Sequence, residues 1–203
     1  MELIILLVIL VWIAVETGIW ERFWQNKRLL RQQTREEAVF QELVKQLERE
    51  NGDRTNATHL EGVGTFKIAA GNYREGIADL TRAIALNPAK ASLYCNRAQA
   101  FYLLEDWGQA VRDYRKTIEL DAEEIGAYIG LARVFLQIGD YREAIATCNG
   151  AVLLDENEAI VYTLRARAYR RLGDRDRARR DCDRAEICDP NHVEVQHLRT
   201  ELN

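Results

Sequence analysis

The chain has 203 residues, 47% of them hydrophobic and 30% charged, with two prolines and twelve glycines, a balance that excludes a disordered or fibrous chain and describes an ordered, helix-rich protein. A formal charge of -4 is too small to imply nucleic acid or an acidic substrate, so any binding has to rest on local charge. Cys95, Cys148, Cys182 and Cys188 have neither the C-x-x-C spacing of a zinc or redox site nor the density of a disulfide framework, which fits a reducing compartment.

From Leu3 to Val15 every residue is apolar, and the run continues less cleanly through Glu16, Thr17 and Gly18 to Ile19 and Trp20. A helix rises about 1.5 Å per residue, so the clean part reaches only about 20 Å, whereas Leu3 to Trp20 approaches the roughly 30 Å of hydrocarbon that a span must cross. Residues 1–20 are therefore expected to form one transmembrane anchor, with the membrane contact at 3–20 and Glu16 near an interface. Trp20, Phe23 and Trp24 suit the headgroup level, and Arg22, Lys27, Arg28, Arg31 and Arg35 follow at once. By the positive-inside rule the N-terminus lies outside or in a lumen, and everything after Trp20 lies in the cytoplasm. Two other readings of the run compete: a cleaved signal, against which the Met1-Glu2 start and the missing cleavage site argue, and an interfacial or buried helix that never spans.

Residues 21–56 are expected to form a charged helical stalk ending in a hinge. Phe40, Leu43, Val44 and Leu47 make a stripe at helical spacing, too short to claim a coiled coil. Asn51-Gly52-Asp53 breaks the pattern. Asn56-Ala57-Thr58 matches a glycosylation acceptor, which a cytoplasmic position would leave unused.

The remainder is periodic. Pro88 and Pro190 stand 102 residues apart, three times 34, and that interval divides residues 57–192 into the blocks 57–90, 91–124, 125–158 and 159–192. Small residues recur at the eighth place (Gly64, Ala98, Ala132, Ala166), the twentieth (Gly76, Ala110, Ala144, Ala178) and the twenty-seventh (Ala83, Thr117, Ala151, Ala185). Bulky ones recur at the fourth (Leu60, Tyr94, Tyr128, Tyr162) and eleventh (Lys67, Phe101, Phe135, Tyr169). Between them stand turns such as Gly139-Asp140-Tyr141, a helix-ending residue followed by an Asn or Asp that can cap the next helix. Each block predicts a helical hairpin, closely crossed at its small residues. Val195, Leu198 and Leu202 then fall on one face of a short amphipathic helix over 193–203, a cap for the last hairpin.

This pattern resembles the tetratricopeptide repeat family, over about two-thirds of the chain. Lys67 and Arg175 replace aromatic residues of that pattern, and Ala122 and Glu156 stand where the family often has proline. The resemblance implies an all-α fold, a right-handed superhelix or α-solenoid of four hairpins with its capping helix. It also implies a concave surface lined by the first helix of each hairpin, where a protein partner binds. Carried onto this chain, that surface takes in Asn96, Gln99 and Tyr102 from the second block, Ile129, Arg133 and Leu136 from the third, and Arg167, Arg170 and Arg171 from the fourth, with Thr163 and Leu164 beside them.

The near half of this wall is neutral to apolar and the far half basic. An arginine fork suits carboxylates, so the expected partner is a peptide or helix carrying acidic residues. The competing expectation is that these arginines pair with Asp174, Asp176, Asp181 and Asp183 nearby in sequence. Among family members that grip the C-terminal carboxylate of chaperones, five clamp positions carry lysine, asparagine or arginine. Only Asn96 matches, and Glu61 at another would repel a carboxylate.

No Walker loop, nucleophile elbow, H-E-x-x-H helix or dinucleotide-binding fingerprint is present. His192 and His197 are five apart and do not share a helix face. Cys148 and Cys182 hold the same place in successive blocks, as packing residues would. No catalytic, cofactor or metal site is expected, nor a nucleic-acid or small-molecule partner; the chain is read as a scaffold and not an enzyme. In layout it looks like the small thylakoid-membrane repeat proteins that assist photosystem I assembly. The expected function is a membrane-anchored adaptor that assists assembly or regulation of a membrane complex, with a constitutive structural subunit of such a complex as the alternative.

Overall fold

The computed structural model describes residues 56–191 and 193–202, all within one compact unit, residues 53–203. The anchor expected at 1–20 and the stalk up to residue 55 lie outside the described residues. Among those described, no helix is long and apolar enough to cross a membrane.

Nine helices and no strand make up the described residues: α1 Ala57–Ala69, α2 Tyr73–Leu86, α3 Ala91–Leu103, α4 Trp107–Leu120, α5 Ile125–Ile138, α6 Tyr141–Leu154, α7 Ala159–Arg171, α8 Arg175–Cys188 and α9 Val193–Leu202. Within each hairpin the chain reverses through a left-handed residue. Gly71, Gly139 and Gly173 have φ of 82°, 82° and 83°, and Glu105 holds the same place at 58°. Glycine reaches that region without a Cβ clash; a glutamate is strained there. The second helix then starts on a side-chain cap. Asp106, Asp140 and Asp174 accept the N–H of Gln109, Glu143 and Arg177 at 3.3, 3.4 and 3.1 Å, which satisfies a donor left over at each helix start. Asn72, expected to do the same for α2, makes no such bond.

Of the turns that follow the hairpins, those at Ala122 and Glu156 survive without proline. Asp121, Asp155 and Asp189 accept the N–H two residues on, from Glu123, Asn157 and Asn191, at 3.0, 2.8 and 3.0 Å. The hydroxyls of Tyr94, Tyr128 and Tyr162 donate to the carbonyls of Pro88, Ala122 and Glu156 at 3.1, 3.2 and 3.0 Å. Ala122 and Glu156 therefore sit in the turn that Pro88 occupies, held by side-chain bonds.

The recurrent small residues are where helices cross. Ala98, Ala110, Ala132, Ala144, Ala166 and Ala178 are all buried. In the first hairpin even a methyl group is too much: a Cβ on Gly76 would lie 2.7 Å from the Gly64 carbonyl oxygen and 2.6 Å from Ile68 Cγ1. The fourth hairpin is covered by Val195, Leu198 and Leu202 of α9, buried in one cluster with Tyr162, Ala166, Ala178 and Cys182.

Charged clasps cross the hairpins as well. Arg97 on α3 makes a two-pronged bond to buried Asp113 on α4, at 2.7 and 2.9 Å, and donates to Thr81 on α2 at 3.1 Å. Two repeats later Arg165 holds buried Asp181 at 2.8 and 2.7 Å and reaches Asn149 at 2.8 Å. The parallel bonds satisfy both charges, which makes their burial tolerable. In the first hairpin Lys67 performs the task from the place of the missing aromatic, pairing with Asp79 at 2.8 Å. The third uses Leu131 and Thr147 at the clasp positions and needs no ions.

Consecutive helices pack together throughout. First helices also touch the next first helix, α1 with α3, α3 with α5, α5 with α7 and α7 with α9, whereas α2, α4, α6 and α8 do not touch one another. A stack whose first helices lie closer together than its second helices curves toward the first, so α1, α3, α5, α7 and α9 form the inner wall.

Candidate partner-binding groove

The inner wall presents side chains that recur one per repeat, because helices in the same register expose the same positions. At its N-terminal end stands Glu61 on α1. Its carboxylate accepts from Lys90 and Ser92, each at 2.6 Å, and from the Asn96 amide at 3.4 Å. This end is neutralised from within, and Asn96 is already engaged by a carboxylate of the chain itself.

The middle of the wall is built by α3 and α5. Gln99 is exposed, and Tyr102, partly buried, stands edge-on to Trp107 with centroids 5.4 Å apart. The Tyr102 hydroxyl accepts from Gln137 on the neighbouring first helix at 3.4 Å. Ile129 and Leu136 are partly buried and rest on the core between α5 and α7. Arg133 is exposed, with no ion pair or hydrogen bond to any described residue.

Beneath this surface lies Tyr114 of α4, 5% exposed, which sequence reasoning missed. A Cβ on Gly130 would stand 2.2 Å from Tyr114 Cζ, so the absent side chain is what admits the ring. Burial pushes the phenol above its ordinary value, and the neighbouring Cys95 adds to the rise while Arg133 opposes it. Both neighbours stand on inner-wall helices, Cys95 on α3 and Arg133 on α5, so the phenol lies beneath that wall. A signal existed in the spacing. Tyr114 faces Gly130 sixteen residues on, and Cys148 packs with Leu164 at the same interval, a large residue opposite a small one in each case.

At the far end the arginines divide. Arg167 and Arg171 are exposed and form no ion pair with a described residue. Arg170 is partly buried and pairs with Glu201 of α9 at 2.6 Å, its Nε buried with no hydrogen-bond partner among the described residues. Three of the four nearby aspartates are committed elsewhere, Asp174 to Arg177, Asp181 to Arg165 and Asp183 to Arg199, while Asp176 pairs with no described residue. Thr163 and Leu164, expected on this surface, are buried instead. The Thr163 hydroxyl donates to the Ala159 carbonyl, and Leu164 fills the space beside Cys148.

Three of the four thiols, those of Cys95, Cys148 and Cys182, stay protonated at neutral pH. Burial pushes Cys95 up to about 11, with Glu124 adding to it, and pushes Cys148 up to about 12 and Cys182 up to about 11. Among the described residues no group of His, Cys, Asp and Glu could hold a metal ion.

Two family models, both described as tetratricopeptide repeat, match residues 67–125 and 101–168. A crystal structure of MamA protein superposes with a TM-score of 0.69 at 19% identity, covering 80% of this chain and 90% of its own. The Arabidopsis OM64 TPR domain superposes at 0.54 with 23% identity, covering 56% and 93%. The first TPR of Spaghetti (RPAP3), bound to the HSP90 peptide SRMEEVD, does so at 0.54 with 20% identity, covering 56% and 90%. At these identities the likeness establishes the fold. No curated protein sequence matches the chain.

Proposed function

The chain belongs to the tetratricopeptide repeat family, and from that premise we propose that it is a membrane-tethered scaffold whose groove holds an acidic segment of another protein. Members of such a fold work by presenting an inner wall to a polypeptide, and nothing else among the described residues competes for the role. The observation that carries the reading is the row Arg133, Arg167 and Arg171, three groove cations without a counter-ion among the described residues. Arg133 and Arg167 hold the same place on adjacent first helices, roughly 8–10 Å apart, and Arg171 stands one turn beyond Arg167. A helix or extended strand with carboxylates on successive turns matches that spacing, while Ile129 and Leu136 supply apolar contact.

The acidic peptide seen in the RPAP3 complex is not the ligand to expect, because Asn96 is already bound to Glu61. Residues 3–20 supply the tether, with the N-terminus outside or luminal and the repeats on the cytoplasmic side; the apolar run and the basic residues after it support this. Tethering raises the effective concentration of a partner beside a membrane complex, which suits assembly or regulation. Photosystem I is a candidate complex by layout.

A photocrosslinker at Gln99, inside the groove, should trap a partner in native membranes that one at Arg112, on α4, does not. Arg133→Glu should weaken the capture about tenfold, as expected when a groove charge is reversed. Equal trapping from both positions would overturn the groove reading. Capture at fixed stoichiometry through high salt would instead mark a permanent subunit.

A further inference from the structure

The far end of the groove closes on α9 in a way that adds a second sign of charge. Arg199 binds Asp183 sixteen residues upstream, as Arg97 binds Thr81 and Arg165 binds Asn149 across the same interval. α9 is thus docked as a fifth first helix, in the register of the others, and it contacts α7 as each first helix contacts the one before. That register places Glu194, His197 and Glu201 in the wall positions that Ser92, Cys95 and Gln99 hold on α3.

Between α7 and α9 lies a cavity of about 250 Å3, walled by Arg167, Arg170, Glu194, His197, Leu198 and Glu201. Its charges are unevenly spent. Glu201 is taken up by Arg170 at 2.6 Å, with the His197 ring at 3.6 Å. Glu194 is exposed and pairs with no described residue, and Arg167 on the opposite wall is equally free. The inner wall therefore runs from a neutralised end at Glu61, through free cations, to a free anion over a cavity floored by Leu198.

We infer that this cavity seats a basic side chain of the bound segment, a lysine or arginine flanking its acidic residues, with the aliphatic stem on Leu198 and the charged head at Glu194. A flexible stem of this kind lies along apolar surface while its head stays polar, and the cavity offers both. The partner would then carry carboxylates opposite Arg133, Arg167 and Arg171 and a cation at one end. That arrangement fixes which way it lies, because the reversed segment would set like charges against each other. The inference rests on the groove reading given above.

Three labelled synthetic helical peptides test it against the 203-residue chain in mild detergent. One carries glutamates on successive turns only; the others add one lysine a turn beyond either the first or the last glutamate. The expected result is that all three bind and that one lysine peptide binds about fivefold tighter than the glutamate-only peptide, the size of one well-placed charge pair. Glu194→Lys should then reverse the order, weakening that lysine peptide and tightening the glutamate-only one. If both lysine peptides bind no better than the glutamate-only peptide, Arg167 and Glu194 satisfy each other in solution and the inference fails while the groove reading stands. If none of the three binds a chain with intact helical circular dichroism, both fail.

Discussion

Glu105 occupies the left-handed turn position that is glycine in the other three hairpins, at φ 58°. A non-glycine residue there costs about 1–2 kcal/mol, and glycine returns part of that as greater freedom in the unfolded chain. Glu105→Gly is expected to stabilise the fold by about 0.5–1 kcal/mol, read as a higher urea midpoint at unchanged slope; a lower midpoint would mean that the glutamate makes a compensating contact. Cys148 and Cys182 give a pH dependence. Their folded pKa values, about 12 and about 11, lie above the 9.0 of a free thiol, so folding retains protons that the unfolded chain would lose. The associated stability is fully present below pH 9 and declines as pH rises from there toward 12. Cys148→Ala/Cys182→Ala should flatten that decline in denaturation midpoints measured across the range.

Each hairpin solves the same crossing problem with different chemistry. Arg97–Asp113 and Arg165–Asp181 are buried two-pronged pairs, whereas the third hairpin fills the corresponding places with Leu131 and Thr147. Removing one partner strands a charge in a low-dielectric site, at a cost of about 3–5 kcal/mol; replacing both by a packed neutral pair is far less harmful. Asp113→Ala should therefore lower the chemical denaturation midpoint sharply, and the double change Arg97→Leu/Asp113→Thr should recover most of the loss. Failure of the double change to recover would show that α3 and α4 cross differently from α5 and α6. Ala132 tests the packing itself, since it is buried at the α5–α6 crossing. Ala132→Leu should overpack the crossing by about 1–3 kcal/mol.

The stack is held by neighbours only, so its stability is distributed along it and its ends are its weak points. α9 covers the last hairpin with Val195, Leu198 and Leu202, and Arg199 ties it to Asp183 and Glu186 on α8. Deleting residues from 193 onward should expose Tyr162 and Cys182. Amide exchange should then accelerate in α7 and α8 while α1 and α2 keep their protection; uniform acceleration would mean the stack unfolds as a single cooperative unit. The helices, their order and their hairpin pairing were legible in the chain, because the period of 34 repeats small residues at crossings and turn residues at reversals, and those demands are local. The register that gives each helix residue its face was legible too, since the period alone sets it. Which arginines remain free, the burial of Thr163 and Leu164, the capture of Asn96 by Glu61 and the entry of Tyr114 beside Gly130 were settled only by packing. Most of these depend on a partner from another helix, sixteen to thirty-five residues away, and a one-dimensional pattern carries the position of a side chain but not the company it keeps.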